Sequence, residues 1–271
     1  MSAIGGGPAP RLRRRGFRAD RLVSARGTAA CRVLRDQAAH SQQPAVVPYA
    51  PDARWLPGWL RQPTVDRTRS LSSSSALQLI SLHLPKTAGT SFRHTLEERY
   101  PDLIYFDYDG KFNPDLGPMK VVHGHMQAFR YVSFYPNAKL ITWLRNPVDR
   151  IISYFNFWKT LPRHGNVNHD YVLDYDLSLI EFAETEFIRN EVVGHYMKNL
   201  ALSRFDFVGV IERYQEDLVR LAEMMGWPRV TLYKSNPGPQ SSEVSEAERS
   251  KIRSLLKTEV EVYEAAFYRK Y

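Results

Sequence analysis

A short loop of small and hydroxyl-bearing residues follows the first apolar run of the chain, and its composition suits an anion. The loop contains Lys86, Thr87, Gly89, Thr90 and Ser91. The apolar run before it is typical of a strand buried on both faces, and Thr90 or Ser91 suits the N-cap of the helical pattern after it. A helix N-terminus offers free backbone N–H groups, to which lysine adds a cation and the hydroxyls add donors. The sequence therefore predicts a phosphate-binding loop.

This loop departs from the pattern of ordinary ATP and GTP sites. That pattern, G-x-x-x-x-G-K-[ST], places its lysine directly after the second glycine. Here Lys86 comes first, and Gly89 follows three residues later. Taken alone, the loop also allows a plainer interpretation as a strand-to-helix turn with an incidental lysine.

A second strand pattern, over residues 138–144, ends in Arg145. This arginine is expected to project from the carboxyl end of the strand, where open α/β sheets bind ligands. Ser153 lies about two turns into the helix that follows. Because a guanidinium fork matches phosphate oxygens, Arg145 and Ser153 are candidates for a second phosphate site. The alternative is that Arg145 pairs with Asp149 and that Ser153 only packs.

Two histidines, His123 and His125, flank Gly124 between these motifs, after a short strand pattern over residues 120–122. A general base for an alcohol works best with a pKa near the operating pH, and histidine meets that condition. Both histidines are therefore candidates for a base at the sheet edge that carries the phosphate motifs. A structural histidine, hydrogen-bonded at a strand end, is the alternative for each of them.

A metal site at this histidine pair lacks a clear third ligand. The single cysteine, Cys31, lies far away in the sequence, whereas His164 and His169 sit in a polar stretch from which they could join in principle. We therefore predict no metal.

The two phosphate motifs together resemble the paired cofactor motifs of sulfotransferases. P-K-T-A-G-T-S-F is followed by R-N-P-V-D-R-I-I-S-Y, each at the end of a strand pattern. Enzymes of that family transfer a sulfuryl group from 3′-phosphoadenosine 5′-phosphosulfate (PAPS) to a hydroxyl. The resemblance implies that Arg145 and Ser153 contact the 3′-phosphate. It also implies that the 5′-phosphosulfate is held by the first loop, through Lys86, Thr87, Gly89, Thr90 and Ser91.

The H-G-H sequence is similar to the branch of the family that includes the heparan sulfate and uronyl 2-O-sulfotransferases. There the second histidine is the base, which implies that His125 is the catalytic base and that His123 is a helper or a substrate contact. By the same resemblance Lys86 stabilises the charge that develops on the leaving nucleotide, and no metal is required. The implied partner is a hydroxyl-bearing acceptor, with a glycan favoured. A near-neutral catalytic domain also admits a neutral glycan or a small alcohol.

Two other classes of function remain open. A P-loop-like kinase or nucleotide hydrolase would bind ATP with Mg²⁺, although the proper loop for it is missing. A non-catalytic nucleotide- or glycan-binding module would keep the fold, but it would have no need for a base beside both phosphate motifs.

The positive charge of the chain is concentrated in its first part. Residues 1–70 hold 13 arginines, no lysine, 4 aspartates and no glutamate, for a net charge of +9, whereas residues 71–271 carry a net charge of −1. Bulk charge therefore gives no reason to expect a nucleic-acid partner. We predict an Arg-rich, mostly disordered segment over residues 1–75, with the features of a targeting peptide, and a sulfotransferase domain over residues 76–271.

The expected location is soluble, with the cytoplasm favoured and organelle import left open. No run approaches the roughly 18 apolar residues of a membrane-spanning helix. A Golgi location follows only by analogy with the family, whose usual anchor is not seen. A single cysteine precludes an intramolecular disulfide. The oligomeric state stays open.

The alternation of strand and helix patterns predicts an α/β protein, a P-loop-like three-layer α/β/α sandwich with a central parallel sheet. Asn146 suits the N-cap and Pro147 the first position of the helix after Arg145. Strands are predicted over residues 76–84, 103–106, 120–122, 138–144 and 205–211, and further helices over 177–187, 192–202, 214–225 and 245–268. Acceptor selection is expected from the loops at residues 107–118, 160–176 and 233–239, the last of which includes Lys234, Ser235 and Asn236 as cofactor candidates.

Overall fold

A computed structural model describes residues 77–232 and 243–268 of the chain. The predicted N-terminal segment, residues 1–75, lies outside the described residues. So do the cofactor candidates Lys234, Ser235 and Asn236 in the predicted loop before the last helical region.

The described part is built on a five-stranded, wholly parallel sheet with the order β2-β3-β1-β4-β5. This confirms the predicted fold class, because parallel strands need crossover helices that cover both faces of the sheet. The strands are β1 (Leu79–Leu82), β2 (Ile104–Asp107), β3 (Val121–Gly124), β4 (Lys139–Leu144) and β5 (Phe207–Val210).

Nine α-helices surround this sheet within the described ranges, and a π-helical segment, Glu191–Tyr196, joins them. None of the helices described between residues 77 and 268 combines the length and the apolar character needed to cross a membrane. The helices are α1 (Gly89–Arg99), α2 (Ala128–Phe134), α3 (Pro147–Thr160), α4 (Val167–Asp174), α5 (Leu179–Glu184), α6 (Glu186–Arg189), α7 (Tyr214–Met225), α8 (Glu246–Leu255) and α9 (Lys257–Phe267).

Alternate residues of the strands feed two apolar layers. Leu79 of β1 packs with Phe92 of α1 and Leu218 of α7 on one face. Its neighbour Ile80 packs on the other face, with Tyr131 of α2 and Tyr263 of α9 among its partners. Because successive side chains of a strand point to opposite faces, burial on both sides requires the nearly continuous apolar runs from which the strands were predicted.

The predicted strands lie within a few residues of those in the structure, with one consequence for the site. The pattern over residues 120–122 placed His123 beyond the end of its strand, but β3 extends to Gly124. The extension arises because His123 and Gly124 pair in register with β1 and β2 on either side. His123 is therefore part of the sheet, and His125 is the first residue beyond it.

Three helix predictions need correction. The region predicted as one helix over 245–268 begins with a capping box at Ser245 but breaks at Leu256. The break lets this buried leucine stay in one apolar cluster with Ile252, while Tyr263 joins the cluster against the sheet. The helices predicted over 177–187 and 192–202 are also shorter. Thr185 interrupts the first with an extended backbone, and the second is reduced to a π-helical segment that ends at Tyr196.

A buried ion cluster fixes α3 against the C-terminal part of the domain. Arg150 is 1% exposed, and its guanidinium donates to Glu259 through Nε at 2.6 Å and Nη2 at 2.8 Å. Its Nη1 donates to Glu191 at 2.8 Å, and the hydroxyl of Tyr154 donates to the same glutamate at 3.0 Å. Since every group is hydrogen-bonded, the cluster offsets the cost of burying its charges.

We expect Arg150→Met to destabilise the protein by about 3–5 kcal/mol, because it leaves two buried carboxylates without their counter-charge. Chemical denaturation of the purified protein measures the loss. Arg204→Met, at an exposed arginine, serves as the control and should change the free energy of unfolding by less than about 0.5 kcal/mol. Equal midpoints for the two variants would contradict the structural role of the cluster.

Candidate active site

The loop between β1 and α1 has an unusual backbone. Lys86 has a φ of 66° and Ala88 has a φ of 61°. Thr87, which lies between them, and Gly89, which follows Ala88, have negative φ. Alternating signs of φ turn successive N–H groups toward one side of the chain, which forms an anion-binding concavity. Left-handed conformations of residues with a side chain are costly and concentrate at functional sites.

The helix after the loop begins earlier than predicted. Neither Thr90 nor Ser91 caps it; α1 starts at Gly89 with Ala88 at the N-cap position, and no side chain accepts a hydrogen bond there. The prediction was wrong because the left-handed backbone of Ala88 already turns the chain into the helix. The first N–H groups of α1 are therefore left without a side-chain cap, as an anion site requires.

Two cations meet at this loop. Arg145 follows β4 and donates through Nη1 to the carbonyl oxygen of Lys86 at 3.4 Å. The Lys86 ammonium lies 4.3 Å from the ring centroid of Phe157. Burial, together with the charge of Arg145, lowers the pKa of Lys86, and burial also lowers the pKa of Arg145.

No carboxylate in residues 77–232 or 243–268 forms an ion pair with either cation. Asp149, the alternative partner for Arg145, is paired with Arg249 at 2.9 Å instead. Asp149 and Glu212 act on Arg145 at longer range and partly oppose the fall in its pKa. Because no carboxylate of the described residues forms an ion pair with these two partly buried, mutually repelling cations, the arrangement favours a bound anion.

The other predicted phosphate contacts are distributed unevenly. The Thr87 hydroxyl donates to the carbonyl oxygen of Leu84 at 2.8 Å, so its proton holds the loop together. Thr90 is half-buried in the first turn of α1, and Ser91 is buried beside it. Ser153 is half-buried in α3, and no hydrogen bond joins it to Arg145 among the described residues.

The helix that carries Ser153 begins as predicted. The side chain of Asn146 accepts hydrogen bonds from the backbone N–H groups of Val148 and Asp149 at 3.0 and 3.4 Å. Pro147 occupies the first helical position, where its missing N–H costs nothing. The cap fixes the start of α3 directly after Arg145.

His125 has the geometry of a base. Its Nδ1 lies 2.7 Å from the carbonyl oxygen of His83, which can only accept, so Nδ1 carries the proton and Nε2 is the basic nitrogen of the neutral ring. Burial lowers its pKa to about 4, an effect that the bond to His83 partly opposes. The ring is therefore neutral at physiological pH, but burial places its pKa below the near-neutral value that the sequence led us to expect of a base.

His83 is a residue of the site that the sequence analysis missed. Its ring stacks on His125, with centroids 4.4 Å apart, and on His123, with centroids 5.3 Å apart. Its Nδ1 bonds the hydroxyl of Tyr108 at 3.0 Å. The available signal was its position directly after β1, at the same sheet edge as the H-G-H sequence.

Gly89 joins the phosphate loop to the histidines by close contact. A Cβ at this position would lie 1.7–2.1 Å from atoms of the His83 ring, so only glycine fits. The ring of His83 thus packs against the start of α1 on one side and against His125 on another.

His123 is far more enclosed than His125. It is 1% exposed, and its Nδ1 bonds the hydroxyl of Ser81 at 2.9 Å between neighbouring strands. Burial, followed by the influence of His125 and Arg93, lowers its pKa to about 3. This position suits a supporting residue in the sheet rather than direct contact with an acceptor.

A cavity of about 230 Å³ opens beside His125, and we call it the His125 pocket. It includes part of the loop at residues 107–118 that was predicted to select the acceptor, whereas the polar stretch at residues 160–176 takes no part in it. The pocket is lined by Asp107, Asp109, Gly110, Phe112, His125, Met126, Gln127, Arg130, Tyr131 and His195.

Asp107 is the most perturbed carboxylate of this pocket. It is 1% exposed, and its Oδ2 accepts from the Tyr131 hydroxyl at 2.8 Å, whereas its Oδ1 meets no hydrogen-bond donor at bonding geometry among the described residues. Burial raises its pKa to about 6, and the nearby Asp109 adds to the rise, against the lowering effect of the bond from Tyr131. The sequence analysis placed Asp107 in a loop, but it is the last residue of β2.

The histidines proposed as additional metal ligands lie elsewhere. His169 is fully buried and bonds the carbonyl oxygen of Trp158 at 2.9 Å, and its ring lies 4.6 Å from that of His164. Within the ranges that the structure describes, no three histidine, cysteine, aspartate or glutamate side chains form a group suited to a metal ion.

Comparison with known families supports the sulfotransferase family. Residues 111–203, about a third of the chain, match a family profile described as "Sulfotransferase domain". The matched segment contains the H-G-H sequence, Arg145 and Ser153, but not the first phosphate loop. A search of curated protein sequences gives no match.

Two solved structures illustrate what the chain resembles. A sulfotransferase from Alicyclobacillus acidocaldarius is 17% identical, with 73% of this chain and 98% of that chain covered and a TM-score of 0.41. The mouse sulfotransferase SULT7A1, complexed with PAP, is 14% identical, with 68% of this chain and 65% of that chain covered and a TM-score of 0.36.

We expect Gly89→Ala to destabilise the protein by about 1–3 kcal/mol, because the added methyl group overlaps the ring of His83. The same change made in a His83→Ala background should cost much less, since the ring is gone. Chemical denaturation of the four proteins in this double-mutant cycle measures the coupling. Equal costs in both backgrounds would contradict the close packing of loop and histidine.

The stability of Asp107→Asn relative to the wild type should depend on pH. The folded-state pKa of Asp107 is raised to about 6. The contribution of this carboxyl group to stability is therefore present below about pH 4 and is lost as the pH rises through 6. Asparagine stays neutral at every pH. The free energy of unfolding of the variant should therefore rise relative to that of the wild type between pH 4.5 and pH 8 in denaturation experiments. A difference that does not change with pH would show that this carboxyl group is not perturbed.

Proposed function

We propose that this protein is a PAPS-dependent O-sulfotransferase in which His125 is the general base. PAPS is a substrate of this reaction and supplies the sulfuryl group. The observation that carries the proposal is the meeting of Lys86 and Arg145, two cations without a carboxylate partner in the described residues, at the sheet edge that also carries His125.

The two ends of the nucleotide suit two different parts of the anion site. The N–H groups around Lys86 and the uncapped start of α1 are assigned to the 5′-phosphosulfate. Arg145 and Ser153 are assigned to the 3′-phosphate, for which the guanidinium offers paired donors. The side chain of Thr87 contributes by holding the loop, since its hydroxyl proton is already donated to Leu84.

The transfer itself needs a base, a positioned donor and charge stabilisation. The acceptor oxygen forms a bond to sulfur as the bond from sulfur to the phosphate oxygen breaks, and the electron pair of that bond stays on the 5′-phosphate. The hydroxyl proton passes to Nε2 of His125, while the His83 carbonyl stabilises the imidazolium through Nδ1–H. Lys86 stabilises the charge on the departing phosphate oxygen.

The remaining parts of the proposal rest on the family resemblance and on the pocket. The acceptor is a hydroxyl compound, with a glycan favoured, and the His125 pocket is its binding place. Residues 76–271 form the catalytic domain. His123 supports the site from within the sheet, and the reaction requires no metal ion.

Calorimetric titration with 3′-phosphoadenosine 5′-phosphate (PAP), the product nucleotide, tests the proposal first. We expect wild-type protein to bind PAP without Mg²⁺ and more tightly than it binds ATP with Mg²⁺. Arg145→Ala should weaken PAP binding by about 10–100-fold, because hydrogen bonds to a charged group usually contribute that much to affinity.

Arg204→Ala provides the matched control, since Arg204 is exposed and precedes the amino end of β5, at the opposite edge of the sheet. It should leave PAP binding unchanged. A preference for ATP with Mg²⁺, or equal affinities of the two arginine variants for PAP, would overturn the sulfotransferase proposal and favour a kinase.

A further inference from the structure

The His125 pocket is lined by the carboxylate of Asp107 as well as by His125, the proposed base. Asp107 pairs in register with Gly124, the residue before His125. A Cβ at Gly124 would lie 1.8 Å from the backbone oxygen of Asp107, so the two strands approach closely here only because residue 124 is glycine. Because Asp107 and His125 both line this pocket, an acceptor bound in it can contact both side chains.

The charge around Asp107 favours a hydrogen-bond donor over an anion. Its Oδ2 accepts from Tyr131, whereas its Oδ1 is buried and meets no donor at full bonding geometry in the described part of the chain. The backbone N–H of Gly110 and the carboxyl group of Asp109 are close enough to act on the pKa of Asp107, but neither completes a hydrogen bond to Oδ1. A buried acceptor without a donor is costly, and a ligand hydroxyl removes that cost. An anionic ligand would instead bring a second negative charge into a partly desolvated site.

The other ionisable groups of the pocket leave this preference intact. Asp109 is a second carboxylate, and its oxygens are engaged by the backbone N–H and the ammonium of Lys111. Burial first, and then Lys198 and Arg130, lowers the pKa of His195, which is therefore neutral at physiological pH. Arg130 is exposed, so its charge is largely solvated, whereas Asp107 lies inside.

The size and surface of the pocket suit a single polar ring. Its volume of about 230 Å³ is below the range of roughly 300–1,000 Å³ that holds a drug-sized ligand. Phe112 packs edge-on against Tyr131, with centroids 4.9 Å apart, and gives the pocket an aromatic side. The amide nitrogen of Gln127 lies 3.3 Å from Nδ1 of His195. It adds a hydrogen-bond donor to the pocket, whereas the carboxylate of Asp107 is an acceptor.

We infer that the His125 pocket binds a neutral, polyhydroxylated ring of monosaccharide size, and that Asp107 accepts a hydrogen bond from one of its hydroxyls. This inference rests on the proposed sulfotransferase function and specifies its acceptor. It disfavours the uronic-acid glycans of the 2-O branch that the H-G-H sequence resembles.

A pair of matched glycosides tests the inference. Methyl β-glucopyranoside and methyl β-glucopyranosiduronate share one ring and differ in a hydroxymethyl or a carboxylate group. Transfer of labelled sulfate from PAPS to each is measured for the wild type, Asp107→Asn, and Asp102→Asn, a control at an exposed aspartate outside the pocket and outside the loop at residues 107–118. PAP binding to each protein is measured separately by calorimetry.

We expect the wild type to prefer the neutral glycoside by about tenfold or more in kcat/KM. Asp107→Asn should raise the KM for that glycoside by a similar factor and reduce the discrimination between the two glycosides. The PAP affinity of every variant, and the kinetics of Asp102→Asn, should stay within about twofold of wild type.

Preference for the uronide, or an unchanged KM in Asp107→Asn, would overturn the inference. So would transfer to neither glycoside by a protein that binds PAP tightly. Failure to bind PAP at all would instead reject the proposed function on which the inference rests.

Discussion

The contact between the ring of His83 and Gly89 is the constraint on which the site depends. Because residue 89 has no side chain, the ring lies against the first turn of α1 and still stacks on His125. The backbone carbonyl oxygen of His83 also accepts a hydrogen bond from Nδ1–H of His125. The loop proposed to bind the nucleotide and His125, the proposed base, are therefore parts of one packed unit, and a shift of the loop would move His125 as well.

The surrounding fold supplies rigidity where the site carries unfavourable features. Left-handed Lys86 and Ala88 cost about 1–3 kcal/mol each, and the two neighbouring cations repel each other. These unfavourable conformations and the close approach of the two cations persist only because the surrounding packing holds the loop in place. Arg150, five residues after Arg145, anchors the start of α3 to the C-terminal helices through buried carboxylates. The helix cap at Asn146 fixes the same turn from its other end.

Sequence reasoning predicted the sheet correctly, and it singled out the loop after β1 and Arg145 as candidates, because both kinds of feature depend on local patterns. Buried parallel strands need long apolar runs, and Asn146 with Pro147 is a strong local signal for a helix start. It missed the roles of His83 and Asp107 because these depend on which strands become neighbours: His83 matters through contact with Gly89, and Asp107 through its register with Gly124. Helix breaks at Thr185 and Leu256 were missed because tertiary packing, rather than local propensity, sets them.

The most direct test of the account is single-turnover transfer of labelled sulfate from PAPS by wild-type protein and His125→Asn, with a mixture of small neutral alcohols and glycosides as acceptors. The account predicts a loss of about 10²–10⁴-fold in rate for the variant with PAP affinity retained. It also predicts a wild-type rate that falls only as the pH drops toward 4, where His125 becomes protonated. Wild-type rates in the variant, or tight PAP binding with no transfer by the wild type to any acceptor, would contradict it and favour a non-catalytic binding module.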